Sequence, residues 1–185
     1  MNSPRVAATF SRLVRGTVFL SLSLFTAVAA QAAGIKSERL LASIIKQTPE
    51  STIVTAGEQM KRAEAAAAEI QGASAFWGVG SSMEPLFTSR TAIVVAPINF
   101  KELKKGMTVV YINRRGRMVA HSLIGDITKG WIAQGVGNAE EDDDLVTKHN
   151  LVGVIVGAYA EAHSEFRVAL TKDLVAKGRL VATRT

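Results

Sequence analysis

Cysteine is absent from this 185-residue chain, which removes disulfides, thiolate metal sites and a cysteine nucleophile together. No internal repeat of about 20–50 residues is evident, so a solenoid is not expected. Charged residues make up only 21% against 48% hydrophobic, a balance of a globular chain and not of a disordered or fibrous one. Acids are missing altogether from the first fifteen residues. There Arg5, Arg12 and Arg15 supply half of the formal net charge of +6. The length fits one domain with a short appendage.

After those arginines comes an apolar run from Gly16 to Ala30, then Gln31-Ala32-Ala33-Gly34. A basic start, an apolar stretch and small residues at the end describe an export leader. Ala30-Gln31-Ala32 offers one cleavage site, after Ala32, and Val28-Ala29-Ala30 offers another. Gly16 to Ile35 also has the length and apolarity of a membrane anchor, so residues 1–32 read as a signal peptide or an N-terminal anchor. Either way the rest of the chain is expected on the trans side. With half of the basic excess spent on targeting, a nucleic-acid partner loses its support.

Residues 33–72 read as a helical connecting region. Leu40, Leu41, Ile44 and Ile45 recur at helical spacing after Ser37, and Ala56–Ile70 is built of strong helix formers, with Gly72 as a stop. From residue 73 to 185 the texture changes to short β-type runs separated by turn residues. The expected strands are Ala75–Val79, Ala92–Ala96, Thr108–Asn113, Arg117–Ile124, Trp131–Val136 and Leu151–Ala158, with Arg114–Arg117 as a hairpin turn and Gly125–Gly130 as the next connection. Phe166–Leu170 adds a further strand candidate and Asp173–Lys177 a helical turn. The expected class is mainly β (α+β), a domain of mixed or antiparallel strands folded as a sandwich or partly open barrel.

Three stretches carry chemistry. Gly78-Val-Gly-Ser-Ser-Met-Glu-Pro-Leu-Phe87 comes after an aromatic strand, and Gly80 allows a sharp turn there while Pro85 biases Glu84 away from helix. A serine on such a loop exposes its hydroxyl beside free backbone N–H groups; a plain polar turn is the alternative. In Arg117-Met-Val-Ala-His-Ser-Leu-Ile124 the alternation puts Val119, His121 and Leu123 on one strand face. His121 is either a proton-transfer group or a satisfied core histidine. His149 and His163 sit in polar surroundings and look ordinary. The run Glu140–Asp144 comes after Gln134-Gly-Val-Gly-Asn138 and lacks EF-hand spacing; one of its carboxylates orients His121, or the run is a solvated loop or a cation site.

In this order the stretches resemble the signal peptidase I family, particularly its archaeal and endoplasmic-reticulum branch. That branch carries a Gly-Ser-Met-Glu-Pro nucleophile box, a Val-His-Arg base box and a Gly-Asp-Asn-Asn box followed by paired aspartates. The likeness runs from Phe76 to Gly157. It implies a signal-peptidase or repressor-peptidase type of β domain with Ser82 as nucleophile, His121 as general base and Asp142 as the orienting acid, Asp143 being the alternative. Gly80, Ser81, Met83 and Pro85 fall at the substrate-binding or oxyanion-hole positions. Phe76, Trp77 and Leu86 are further candidates for a groove, a membrane surface or the core.

Some positions depart from the pattern. Ser89-Arg90-Thr91 stands where the family has Arg-Gly-Asp, Gly135-Val136-Gly137-Asn138 where it has Gly-Asp-Asn-Asn, and Ser122 where an arginine follows the histidine. The resemblance implies a serine endopeptidase for extended preprotein segments with small residues at −1 and −3, close to a membrane surface, with no cofactor, metal or nucleic acid. A catalytically inactive peptide-binding member of the same fold is the alternative. A self-cleaving repressor-type peptidase and a secreted cation-binding module are the remaining competitors.

Overall fold

The structure, a computed structural model, describes residue 35 and residues 37–161. The leader, His163, Phe166–Leu170 and Asp173–Lys177 lie outside the described residues.

Helix α1 spans Glu38–Gln47. Ser37 caps it by accepting from the Leu40 N–H, Glu38 stands in its first turn and Lys46 in its last, which suits the helix dipole at both ends. Pro49 cannot continue a helix, and the chain turns into strand β1, Ser51–Val54. Helix α2 comes next at Gln59–Ala68. Its buried Ala63 and Ala67 let it lie close against Ala92 and Val94 of the sheet.

The strands are β2 (Ser74–Trp77), β3 (Ala92–Ala96), β4 (Thr108–Ile112), β5 (Met118–Ile127), β6 (Gly130–Gln134) and β7 (Leu151–Glu161). A 3-10 turn, Phe100–Glu102, leads into β4. The seven strands make one sheet in the order β2-β3-β7-β4-β5-β6, with β1 beside β7. Every pairing is antiparallel except β1 with β7. The protein is thus mainly β with two helices among the described residues. β7 reaches three partners because it is long: Leu151–Val154 meets β4, Val154–Tyr159 meets β3 and Ala158–Glu161 meets β1. Register shifts fall within two of these pairings, at Val94/Val95 of β3 and at Val110/Tyr111 of β4.

One core cluster joins Leu41 and Ile44 of α1 to Met83, Leu86, Phe87, Val110 and Ile155. A second gathers Leu103, Val109, Tyr111, Leu123, Ala133 and Val146. Burying each such aliphatic side chain contributes about 1.5–3 kcal/mol.

Most expected strands appear within a few residues of their expected ends. No strand is expected before residue 75, and β1 is the addition: four residues behind a proline give no readable alternation. β5 also runs on to Ile127, so the connection expected over 125–130 shrinks to Thr128 and Lys129.

Candidate active site

His121 lies in the middle of β5, opposite Val109 on β4, and is only 6% exposed. Strand geometry gives it a fixed backbone and shares its face with Val119 and Leu123, both packed in the second cluster. A polar ring there needs partners. It has two, one at each nitrogen.

The Asp142 carboxylate lies at 2.6 Å (Oδ2) and 2.9 Å (Oδ1) from Nδ1. A carboxylate only accepts, so Nδ1 carries the proton, and in the neutral ring Nε2 is left as the acceptor. The Ser82 hydroxyl donates to Nε2 at 2.9 Å. Serine, histidine and aspartate therefore form one continuous hydrogen-bonded chain.

Each end of that chain is fixed by its own loop. On the serine side, Gly78 N–H donates to Thr91 O and Arg90 N–H to Gly78 O, closing the end of the β2–β3 pair. Gly80 then takes φ +91°, a left-handed conformation that favours glycine, and the chain turns sharply. Met83, Leu86 and Phe87 are buried, which anchors the loop directly behind Ser82. Gly137 N–H donates to Ser82 O at 2.8 Å and ties it to the segment after β6. Gly80 and Ser81 are exposed beside Ser82. The N–H groups of Ser81 and Ser82 meet no acceptor among the described residues. Met83 is a core residue, 6% exposed. Leu86 is buried with it, Phe76 is half-buried, Trp77 is exposed, and Pro85 is half-buried behind a cis peptide bond.

On the acid side, Asp142 N–H donates to Ala133 O of β6 at 2.8 Å, so the acidic run is pinned at the residue that turns inward. Glu140 and Glu141 are exposed. Asp143 points to solvent, 86% exposed, with Arg114 at 3.4 Å, and Asp144 pairs with the same arginine at 3.1 Å. Neither reaches His121. Among the described residues no group of three or more His, Cys, Asp or Glu side chains is arranged to hold a metal ion. Lys104, Lys105 and His149 are exposed.

Gly135 shows how tightly the parts meet. A Cβ there would stand 2.6 Å from Ser82 O, 2.9 Å from His121 Nε2 and 2.8 Å from Asn138 Nδ2. Only a glycine lets the segment after β6 pass this close. The valine-for-aspartate departure at residue 136 places a buried side chain in the main core cluster.

One neighbour of the chain has no counterpart among the residues that the sequence singles out. Tyr111 of β4 donates its hydroxyl to Asp142 Oδ2 at 2.7 Å. Burial first, then the hydrogen bond and charge of Asp142 and the charge of Asp144, push its phenol well above the usual tyrosine range. Its place is set by strand register: with β4 and β5 joined by the hairpin after Ile112, Tyr111 falls on the histidine's strand face.

A shallow depression of about 380 Å³ lies beyond the acid, lined by Ile112, Arg114, Asp144 and His149 among others. It contains neither Ser82 nor His121. No protein-family model matches the chain, and no curated protein sequence does either.

Proposed function

We propose that this chain is a serine endopeptidase resembling signal peptidase I, with Ser82 as nucleophile, His121 as general base and Asp142 as the acid that orients the base. The observation that carries the reading is the unbroken chain from Ser82 Oγ through both nitrogens of His121 to Asp142. A core histidine that merely needed satisfying would not also meet a serine poised on a glycine turn.

In the proposed cycle Nε2 takes the hydroxyl proton as Oγ attacks the scissile carbonyl, and Asp142 stabilises the imidazolium that forms. The imidazolium then protonates the leaving amine. Water, deprotonated by the same nitrogen, attacks the acyl-enzyme and frees Ser82. The unengaged N–H groups of Ser81 and Ser82 are suited to receive the oxyanion. By the resemblance, an extended peptide would bind by adding itself as a strand. The resemblance supplies the remainder: small residues at −1 and −3, and preproteins as substrates. It also supplies a signal-peptidase type of β domain at 73–185 behind a leader or anchor at 1–32, on the trans side of a membrane.

The test is Ser82→Ala in the full chain, assayed on a leader-type peptide with alanine at −1 and −3 and with an acylating serine probe. Wild type should cleave the peptide and take the label, and the variant should do neither while melting at the same temperature. Cleavage by the variant at the wild-type rate would sink the assignment. A wild type that binds the peptide but never cleaves or labels would mark a peptide-binding protein.

A further inference from the structure

β4 and β5 pair so that Val109 faces His121 and Tyr111 faces Val119. Cross-strand partners share a face, and so do alternate residues of one strand. Tyr111 therefore sits diagonally across from His121 on the same face. Its ring is 1% exposed within the cluster of Val109, Leu123 and Val146, and only the hydroxyl has a polar partner. That partner is Asp142 Oδ2, the oxygen that also lies 2.6 Å from His121 Nδ1.

We propose that Tyr111 is a positioning residue of this site, whose hydroxyl holds the Asp142 carboxylate in the orientation that meets His121 Nδ1. The effect on rate rests on the peptidase reading; the effect on the Asp142–His121 bond does not. The acidic run makes such a device necessary. Arg114, at 3.4 Å from Asp143 and 3.1 Å from Asp144, pairs with the two acids that follow, and neither of them meets His121. His121 alone offers Asp142 one donor, and a carboxylate with one donor turns freely about its last bond. A second donor, on a ring locked in the core, removes that freedom. The phenol stays protonated, because burial and the nearby charges of Asp142 and Asp144 all favour the neutral form, so it remains a donor.

Tyr111→Phe keeps the ring and the packing and removes only the donor. In the full chain, kcat for the leader-type peptide should fall about tenfold, the rate equivalent of one hydrogen bond to a charged group, with KM held within about twofold. The same change in an Asp142→Asn background should add nothing, since the tyrosine acts through the acid. In proton NMR the hydrogen-bonded Nδ1–H of His121 should leave its wild-type position or broaden. Fluorotyrosine placed at 111, which preserves the fold, should also move that resonance and serves where the phenylalanine variant folds poorly. A tyrosine that only packs would change the melting temperature and leave both the resonance and the rate per folded molecule untouched. That result, or an equal loss in the Asp142→Asn background, overturns the proposal. If wild type neither cleaves nor labels but the resonance still responds to Tyr111→Phe, the peptidase reading falls and the positioning role stands.

Discussion

Five consecutive acids at residues 140–144 look interchangeable on paper, and their surroundings make them different. Asp142 is anchored through its N–H to Ala133, and its carboxylate turns toward His121 and Tyr111. Asp143, one residue on, faces water beside Arg114. An exposed ion pair of that kind contributes at most about 1 kcal/mol. Asp142→Asn should therefore lower kcat by a factor on the order of 10⁴, because the amide favours the wrong histidine tautomer. Asp143→Asn should leave kcat within about twofold. Steady-state kinetics on the two purified variants decides it, and a silent Asp142→Asn with a crippled Asp143→Asn would show that the acid's identity is off by one.

At the scale of elements, the site depends on a strand presenting its histidine between two loops, one after β2 and one after β6. Gly135 is where the second loop meets the first. Its φ is not in the left-handed region, so alanine costs little in backbone terms, but the added Cβ would stand 2.6 Å from Ser82 O and 2.9 Å from His121 Nε2. Gly135→Ala should push the serine and base apart and cost about 100-fold in kcat, the order expected when a reacting pair is displaced by an ångström. The sheet should still melt cooperatively. Full activity in this variant would mean that the serine loop yields without consequence. In the sequence, Ser82 and His121 stand out through the order of their short patterns and the family resemblance that order carries, and the same resemblance puts Asp142 first among the acids with Asp143 left open. Gly135 and Tyr111 do not stand out in this way. Their importance comes from approach across 53 residues in one case, Ser82 to Gly135, and from strand register in the other. Neither is visible in a window of neighbours. β1 escaped for a related reason, since four residues beside a proline acquire strand character only by pairing with β7.

For the molecule as a whole, the segment before residue 73 reads in sequence as a connecting or packing region, and its helix α1 enters the same core that holds the serine loop. Ile44 is fully buried in one cluster with Met83, Leu86 and Phe87. At the C-terminal end of α1, Gln47 Nε2 donates to Lys105 O, and the Thr48 hydroxyl is bonded to Thr108, which is bonded in turn to Ser122 beside the histidine. A linker would unfold on its own and leave the sheet intact. A helix joined in this way should unfold together with it. Ile44→Ala removes a buried side chain from the shared cluster and should cost about 2–5 kcal/mol. In a Trp77→Phe background, fluorescence of Trp131, which packs against the second cluster on β6, reports on the sheet far from α1 in sequence. If α1 belongs to the cooperative unit, the Trp131 transition and the loss of helical circular dichroism should move down together in the variant. A lowered helical transition with an unmoved Trp131 transition would return residues 37–72 to the status of an appendage. Joint movement would instead tie the stability of the serine loop to a helix that lies between it and the proposed leader.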